Sequence, residues 1–388
     1  MDKRIAKYCT GCGLCESEKK AVLIKTTDGF KIPKSGDEEW LKNVCPAMAI
    51  QESKRDIRKI WGREKAVYLG WSMDASLRKK ASSGGILTEL ACFLLDNKKV
   101  DCIIHTCASK ENPTQTEICN SYNSEEVRSR CGSRYAISHP LAELSKLRPG
   151  MTYAFVGKPC DVVALKNYMR FNPELEDKIP YTMSFFCMGL PSEKAQKNLL
   201  MKLGCKESEC IKLSYRGNGW PGYTVATDKS GREYKMDYDT AWGQILGRDL
   251  MPSCRFCVDG IGEMADIACG DAWYLTSQGK PDFSEHNGRN VIFARTEKGL
   301  KLINEAQEEQ RIEIEEYSDY EENLAKIQKS QYDRRVSMMA RIMALRMMGK
   351  PHPAYSYNIL REYSSHLAIK KQLRIFLGTC KRIIEGKI

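Results

Sequence analysis

The sequence predicts an α/β (α+β) fold, with a mixed-sheet core between a small cysteine-rich N-terminal unit and a helical C-terminal tail. From Ala66 onward, strand-like and helix-like apolar segments alternate, which is typical of an α/β domain. The first 50 residues instead hold a dense run of cysteines, and from Leu324 the periodicity is helical with a break at Pro351 and Pro353. At 388 residues the chain is long enough for two or three compact units.

The individual elements follow from apolar runs and their boundaries. The charged stretch at 52–65 is predicted to be a helix or a linker, and residues 211–295 are rich in glycine, aromatic and strand-like segments. Strands are predicted at 66–69, 102–106, 152–156 and 181–186, and helices at 85–95, 141–147 and 192–203.

The positive charge of the chain is concentrated in its last segment. The whole chain carries a net charge of +11, and residues 334–388 hold twelve Lys or Arg against two Glu, a net charge of +10. The remainder is therefore close to neutral, which disfavours nucleic-acid binding by the whole protein. The tail itself has a basic amphipathic pattern, whose apolar members are Leu360, Tyr363, Leu367, Leu373, Phe376 and Leu377.

Three interpretations of this basic tail remain open at the level of sequence. A basic amphipathic helix can lie on an anionic membrane surface, can dock an acidic ferredoxin, or can pack on the protein with a solvated basic face. The chain shows no signal-peptide core and no window approaching 18 consecutive apolar residues. A cytoplasmic location is therefore expected, with contact to the inner face of the membrane as a variant of it.

Seventeen cysteines are the unusual feature of the composition. Because cytosolic thiols are kept reduced, clustered cysteines in such a chain indicate metal or redox chemistry rather than a disulfide framework. Cysteine is also a common small buried residue. That interpretation is given to Cys92, Cys102, Cys107, Cys119, Cys131, Cys205, Cys210 and Cys380.

The first cysteine group is a C-x2-C-x2-C run, formed by Cys9, Cys12 and Cys15, with Cys45 followed by proline 30 residues further on. Three thiolates at this spacing can wrap one side of a cubic cluster, and a distant Cys-Pro can complete the cage, as in bacterial ferredoxins. Zinc is the alternative, but zinc sites favour two separated C-x2-C pairs. The pattern therefore favours one 4Fe–4S cluster.

A second group lies at predicted strand ends. Cys160 and Cys187 each follow a strand, and Cys254 and Cys257 form a C-x2-C pair. Strand ends at one edge of a sheet converge in space, so four thiolates could meet there. The alternative is that the first two are buried core thiols, whereas the pair binds zinc or nothing.

Two short segments are candidates for a flavin site. Ser82-Ser83-Gly84-Gly85 opens an apolar helix, where glycines and free N–H groups can approach an anionic or electron-rich ligand. A plain helix cap is the alternative. Gly132-Ser133-Arg134-Tyr135 could add a cation and an aromatic face. No GxGxxG follows a strand, so a Rossmann dinucleotide fold is not indicated.

Taken together, these segments resemble the beta subunits of coenzyme F420 (deazaflavin) hydrogenases and dehydrogenases. That family also includes hydroxymethyl-chlorophyll reductase and bacterial members encoded near polysaccharide genes. The resemblance extends from about residue 5 to about residue 355. Its motifs are Cys-Thr-Gly-Cys-Gly-Leu-Cys at 9–15, Ser-Ser-Gly-Gly at 82–85, Gly-Ser-Arg-Tyr at 132–135, Val-Gly-Lys-Pro-Cys at 156–160, Phe-Cys-Met-Gly-Leu-Pro-Ser at 186–192, Ser-Cys-Arg-Phe-Cys at 253–257, Ala-Asp-Ile-Ala-Cys-Gly-Asp-Ala-Trp at 265–273 and Arg-Thr-Glu-Lys-Gly at 295–299.

The resemblance implies FAD and a 4Fe–4S cluster in the core, with a second 4Fe–4S cluster in an added ferredoxin-like unit. Two departures stand out, because Lys158 replaces a usual threonine and Cys269 replaces a small or β-branched residue. The resemblance matches Cys160, Cys187, Cys254 and Cys257 to the core-cluster ligands, and it matches Ser83, Gly84, Gly85, Ser133, Arg134, Tyr135 and Asp271 to the flavin-binding segments.

These observations give four predicted units. They are a ferredoxin-like 4Fe–4S domain at 1–55, the N-terminal part of the flavin core at 60–170, its C-terminal part with the second 4Fe–4S site at 171–330, and a helical basic tail at 331–388.

The expected function is an iron–sulfur flavoprotein oxidoreductase. Electrons from a donor such as reduced ferredoxin would pass through two clusters to FAD, which would reduce an organic substrate, in cell-surface polysaccharide biosynthesis by analogy with the bacterial members. His105 and Asp271 are candidate proton donors. The alternatives are a deazaflavin-reducing beta subunit of a larger complex, and a zinc or nucleic-acid-binding cysteine-rich module. A homo-oligomer is compatible with each.

Overall fold

The computed structural model describes residues 1–49, 56 and 58–388. The strands are β1 (Ala21–Lys25), β2 (Lys31–Gly36), β3 (Ala66–Ser72), β4 (Cys102–Ala108), β5 (Thr116–Ser121), β6 (Tyr153–Gly157), β7 (Tyr181–Phe185), β8 (Cys210–Ser214), β9 (Thr224–Asp228), β10 (Glu233–Met236), β11 (Ile267–Asp271), β12 (Asn290–Ala294) and β13 (Ile312–Glu316). The helices are α1 (Lys3–Lys7), α2 (Leu14–Ser17), α3 (Glu38–Val44), α4 (Ala75–Lys80), α5 (Ile86–Asp96), α6 (Ser124–Ser129), α7 (Pro159–Met169), α8 (Glu174–Lys178), α9 (Glu193–Leu203), α10 (Glu297–Glu308), α11 (Tyr320–Ile327), α12 (Lys329–Val336), α13 (Met338–Met347), α14 (Tyr357–Ser365) and α15 (Ile369–Ile384).

An eight-stranded mixed sheet forms the centre of the molecule. Its strand order is β13-β3-β12-β11-β7-β6-β4-β5. The four strands β11, β7, β6 and β4 run parallel, and antiparallel strands flank them on both sides. Because the carboxyl ends of parallel strands meet at one edge, the segments that follow these strands come together there. The predicted mixed-sheet α/β fold is confirmed.

The faces of this sheet are covered because its strands are apolar on both sides. On one face α5 and α10 pack their buried leucines and isoleucines against strand residues such as Ile103 and Ile292. On the other face α7 contributes Val162 and Leu165, which pack beside Phe155. Strands buried on both sides read as continuous apolar runs, and this is why β6 and β7 could be recognised in the sequence.

Most of the predicted elements match observed ones, and one helix is wrong. The strands predicted at 66–69, 102–106, 152–156 and 181–186 lie in β3, β4, β6 and β7, and the helices at 85–95 and 192–203 correspond to α5 and α9. Residues 141–147 form only a 3-10 turn at Leu144–Lys146. Two contacts hold this segment to the N-terminal unit, since Leu141 N donates to Cys12 O and Ser145 N donates to Ser17 Oγ. Part of the charged stretch at 52–65 lies outside the described residues.

The N-terminal unit is small and rests directly on the core. The β1–β2 hairpin and helices α1 to α3 form it. The amide of Asn167, on α7, donates to the carbonyl oxygens of Val44 and Ala49, both at 3.0 Å. These buried bonds fix the end of α3, and with it Cys45, against the helix that carries Cys160.

The chain after β13 is helical, as predicted, and it folds back over the core. Helices α11 to α15 are interrupted at 348–356, around Pro351 and Pro353. The guanidinium of Arg335 on α12 lies 3.2 Å from the Glu263 carboxylate, and both side chains are buried. Within the described part of the chain, no helix is both long and apolar enough to cross a membrane.

Two further features complete the fold. A separate three-stranded sheet, of order β10-β9-β8, packs with α9. Cys107 on β4 and Cys119 on β5, which the sequence predicts to be separate buried thiols, are joined in a disulfide. Their pairing depends on the register of two neighbouring strands, which the spacing of the cysteines does not reveal.

Candidate functional site

The four N-terminal cysteines lie around one loop, and we call them the N-terminal cage: Cys9, Cys12, Cys15 and Cys45. Cys9 follows α1, Cys15 lies in α2, and Cys45 caps the end of α3. Between them Gly11 and Gly13 adopt positive φ angles of 69° and 87°, and a side chain at Gly13 would meet Ala142 at 2.9 Å. Glycine is therefore required for the loop to close against the core.

The thiols of the N-terminal cage interact with each other. Burial raises the pKa of each thiol, and for Cys9, Cys12 and Cys45 the charge of the other cysteines raises it further. The backbone N–H of Gly11 donates to Cys9 Sγ at 3.4 Å. Buried thiols that would repel each other as thiolates form a donor set that a cationic iron–sulfur core can stabilise.

The other predicted group also comes together, and we call it the core cage: Cys160, Cys187, Cys254 and Cys257. Cys160 lies in the first turn of α7 directly after β6, and Cys187 follows β7. The C-x2-C pair lies on and just after the 3-10 turn Pro252–Phe256, and Cys254 Sγ accepts the backbone N–H of Leu190 at 3.3 Å. Burial raises the pKa of Cys254 to about 12 and that of Cys257 to about 11.

No group of three His, Cys, Asp or Glu among the residues that the structure describes is arranged to hold a single metal ion. This finding concerns sites in which three or more side chains bind the same metal ion. In a 4Fe–4S cluster each cysteine binds a different iron, so the thiolates surround the cluster instead of converging on one point.

Two cations lie close to the core cage. Arg334 on α12 donates to Cys254 O at 3.4 Å and to Met188 O at 3.2 Å, and its charge lowers the pKa of three of the four core thiols against the effect of burial. Lys158 is buried, with Nζ 2.8 Å from both Asp161 Oδ2 and Ser138 Oγ. Burial disfavours its charge, but the Asp161 carboxylate and the charges of Cys160 and Cys187 together outweigh burial and raise the pKa of Lys158.

The two cages are neighbours. Cys9 packs in one apolar cluster with Leu190 and Met251, and Cys254 packs against the same cluster. A small cavity of about 60 Å³ lies between residues next to the N-terminal cage and residues of the core cage. Its lining includes Tyr8, Thr10, Pro46, Cys160 and Cys257.

A larger cavity of about 260 Å³ opens at the carboxyl edge of the parallel strands, and we call it the main cavity. The two predicted flavin segments meet here, because Ser133 N donates to Ser82 Oγ at 2.7 Å. Helix α5 begins at Gly85 without a side-chain cap, and its first turn lines the main cavity. Of the sequence-predicted residues, the lining includes Ser83, Gly85, His105, Ser133, Arg134, Tyr135, Cys187, Cys269 and Asp271.

Gly84 has a different position from the other residues of its segment. It packs behind the loop, where a side chain would meet Gly70 O at 2.7 Å, and its own carbonyl accepts Ser72 N at 2.8 Å. Gly84 therefore shapes the loop. Cys269 is buried on β11, and burial alone raises the pKa of its thiol.

The two charged candidates of the main cavity, Asp271 and Arg134, already have hydrogen-bond partners. Asp271 accepts both guanidinium nitrogens of Arg216, at 2.8 and 3.1 Å, and Trp220 Nε1 at 3.0 Å. These three hydrogen bonds hold the carboxylate in the cavity wall, which suits a positioning role. Arg134 donates to the carbonyl oxygens of Leu213, Pro113 and Gln115.

His105 lies at the cavity wall on β4. Burial and the positive charge of Arg130 lower the pKa of His105 to about 4, and its Nε2 is 2.7 Å from Ser121 Oγ. The ring is therefore neutral near pH 7 and does not carry the additional proton of a cationic acid.

Sequence reasoning missed several residues of the main cavity. Arg216 belongs to the segment 215–222, whose three glycines could have indicated a tight loop near a ligand. Trp242 and Ser138 have no comparable signal in the sequence, because only the tertiary fold brings them to this edge.

Two family models match this chain. Residues 67–146 match the family described as coenzyme F420 hydrogenase/dehydrogenase, beta subunit N-term, and residues 150–320 match the family described for the C terminus of the same beta subunit. Together the two matches span more than half of the chain.

Individual relatives are distant. The chain is 22% identical over 302 residues to the coenzyme F420 hydrogenase subunit beta of Methanothermobacter thermautotrophicus, covering 76% of this chain and 99% of the relative. It is 24% identical over 307 residues to the coenzyme F420-dependent sulfite reductase of Methanocaldococcus jannaschii, with 75% and 44% covered. These relatives are oxidoreductases or subunits of them.

A solved structure shares the fold. A chain of the F420-reducing NiFe hydrogenase complex from Methanosarcina barkeri superimposes with a TM-score of 0.56 at 20% identity, over 76% of this chain and 97% of that one. The family matches, the mixed sheet and the ordered motifs agree, and the chain belongs to the coenzyme F420 hydrogenase/dehydrogenase beta subunit family.

Proposed function

We propose that this chain is an electron-transferring beta subunit of a larger oxidoreductase, with one 4Fe–4S cluster in each cage and a flavin, FAD, in the main cavity. The observation that carries the proposal is the continuity of the three sites. Cys9 and Cys254 pack against the same apolar cluster, and Cys187 belongs to the core cage and also lines the main cavity. The sites therefore form one row from the N-terminal unit to the cavity.

The residues of the main cavity fit the ring system of a flavin. Its volume of about 260 Å³ is slightly below the range of roughly 300–1,000 Å³ typical of ligand pockets, so a whole FAD would extend beyond it. The first turn of α5 lines the cavity, and the start of a helix favours an anionic or electron-rich group. Tyr135 and Phe186 add aromatic surface.

When bound, a flavin supplies the exchange between one-electron carriers and a two-electron acceptor. The protein's own contribution is to hold and shield it. Asp271 and Arg216 form an ion pair in the cavity wall, and neutral His105 offers a ring that can take part in hydrogen bonds without carrying charge. The relatives named for coenzyme F420 make a deazaflavin the first acceptor to test.

The alternative of an independent enzyme acting in polysaccharide biosynthesis has weaker support, because the relatives with a beta-subunit name belong to multi-subunit hydrogenases and dehydrogenases. The electron donor in the assembly is proposed to be a partner subunit or a reduced ferredoxin that meets the N-terminal unit.

Anaerobic purification tests the proposal. We expect a brown protein with about eight irons and as many sulfides per chain, together with one flavin. Reduced ferredoxin should bleach the absorption band of the flavin, and the reduced protein should then reduce added coenzyme F420. A colourless protein that holds zinc in place of iron would overturn the proposal. Iron without flavin would remove the role assigned to the main cavity.

A further inference from the structure

Helix α15, at the C-terminal end of the described fold, exposes a continuous row of aliphatic side chains. Ile369 is 82% exposed, Leu373 and Leu377 are each 57% exposed, and Ile384 is 75% exposed. Their spacing of four, four and seven residues places them on one face of the helix. We call this row the aliphatic stripe.

The residues that attach α15 to the protein lie at the edge of this stripe, because Cys380 is three residues after Leu377 and four before Ile384. Thr379, Cys380 and Ile383 are buried, and Ile383 belongs to the main apolar core. The four side chains of the aliphatic stripe nevertheless stay exposed beside these buried contacts. The bland interpretation of the tail, a helix with one apolar side buried and a solvated polar side, accounts for the buried residues and leaves the stripe unexplained.

Basic residues run along the helix directly beside the stripe. Three basic residues lie next to the stripe, because Lys370 follows Ile369, Arg374 follows Leu373, and Lys381 is one helical turn after Leu377. The basic face extends further around the helix to Lys371 and Arg382. The sequence from Ile369 to Ile384 contains no acidic residue. Around its axis, α15 thus presents an apolar side, which is buried in part and exposed along the stripe, and a cationic face beside it.

We propose that α15 binds the surface of an anionic lipid bilayer, with the aliphatic stripe inserted among the acyl chains and the basic face against the headgroup phosphates. Adjacent aliphatic and Lys/Arg faces on an amphipathic helix are the arrangement that lies in a membrane interface. A docked acidic protein would account for the basic face but not for the stripe, because binding hot spots of protein interfaces are enriched in Trp, Tyr and Arg and depleted in Leu, and the stripe contains only Ile and Leu.

This inference does not depend on the cofactors or on the proposed redox function. The helix lies on the membrane and does not span it. The exposed Met343 and Met347 on α13, which packs against α15, give further apolar surface on the same helical tail.

The test is sedimentation of the full chain, purified anaerobically, with vesicles of phosphatidylcholine alone or of phosphatidylcholine mixed with phosphatidylglycerol. We expect the chain to pellet with the anionic vesicles only, and added salt should release part of it because salt screens the headgroup attraction. Leu373→Gln with Leu377→Gln should reduce the bound fraction by about tenfold or more.

Matched controls separate the stripe from general hydrophobicity. Met201→Gln with Ile211→Gln changes two exposed apolar residues on α9 and β8, and it should leave sedimentation unchanged. If the stripe variant unfolds, Arg374→Gln with Lys381→Gln tests the basic face beside the stripe and should weaken anionic binding by roughly tenfold. Thermal unfolding of each variant checks that the fold is kept.

Three results would overturn the proposal. The wild-type chain could fail to pellet with anionic vesicles, or the folded stripe variant could pellet as well as the wild type. The chain could also ignore vesicles but be retained on an immobilised acidic ferredoxin, with retention lost in the Arg374→Gln and Lys381→Gln variant, which would assign α15 to a protein partner.

Discussion

The N-terminal cage and the core cage each contain four cysteine thiols, but the charges around the two sets of thiols differ. In the N-terminal cage the outside charges that affect the thiols are carboxylates, with Asp161 acting on Cys12 and Glu16 on Cys15. In the core cage the cations Lys158 and Arg334 act on the thiols, against Asp161 and Asp259. One chain thus holds one anionic and one partly cationic environment for the same ligand set.

If each cage holds a cluster, this difference in charge predicts a direction for electron transfer between them. A cluster that accepts an electron becomes more negative, so nearby cations favour its reduced form and nearby carboxylates disfavour it. With equal clusters in both cages, we expect the core cluster to have the higher reduction potential. Electrons that enter at the N-terminal unit would then move downhill to the core cage, whose Cys187 lines the main cavity.

The largest effect is expected from replacing one cysteine of the N-terminal cage or one cysteine of the core cage. Cys12→Ser and Cys187→Ser should each reduce the iron content by about four per chain, half of the total. They should differ in flavin content, because Cys187 lines the main cavity and Cys12 does not. Iron and flavin analysis of the anaerobic proteins measures both.

The control for these variants is Cys380→Ser on α15, which lies outside both cages and should keep the full iron and flavin content. Loss of flavin in Cys12→Ser equal to that in Cys187→Ser would contradict the separation of the two sites. Unchanged iron content in Cys12→Ser or in Cys187→Ser would mean that the replaced cysteine is not a cluster ligand.

A smaller effect, on stability, is expected at the ion pair that stands between the cages. Lys158 and Asp161 are both buried, so Lys158→Met leaves the Asp161 carboxylate without its partner. Breaking a buried pair in this way costs about 3–5 kcal/mol. Urea unfolding followed by circular dichroism should show this loss of the free energy of unfolding.

The double variant Lys158→Met with Asp161→Asn is the matched control, because it removes both charges and should recover most of the lost stability. If the double variant is as unstable as the single one, the loss comes from packing and the two charges do not act as a pair across the boundary.

Local chemistry makes much of this comparison predictable from the sequence. The C-x2-C-x2-C run and the Cys-Pro specify the N-terminal cage by spacing alone. Cys160 and Cys187 can be assigned to one edge because each follows an apolar strand, and parallel strands end at the same side of a sheet. Lys158 stands out because it replaces the threonine that is usual in the family. The ligand roles and the unit boundaries remain predictions.

The cationic environment could not be predicted, since it depends on contacts between distant parts of the chain. Arg334 reaches Cys254 across 80 residues, and no local pattern in the tail signals that contact. Arg216 likewise reaches Asp271 across 55 residues. The helix predicted at 141–147 is wrong for a related reason, because the backbone of this segment bonds to the N-terminal loop in place of forming a helix.

The smallest expected effect is also the most direct test of the electrostatic difference. Arg334→Leu removes one positive charge beside the core cage. A unit charge about 8 Å away at an effective dielectric constant of about 20 contributes about 2 kcal/mol, equivalent to roughly 90 mV for a one-electron couple. The potential of the core cluster should therefore fall by up to this amount, whereas that of the N-terminal cluster stays nearly constant.

Potentiometric titration followed by electron paramagnetic resonance resolves the two clusters and measures each potential. Arg346→Leu is the matched control, because it removes an exposed arginine from the neighbouring α13, where its guanidinium contacts His352. Solvent and salt screen an exposed charge, so this variant should shift neither potential appreciably. Equal shifts in Arg334→Leu and Arg346→Leu would mean that net charge alone sets the potentials, and the two cages would then have no built-in direction between them.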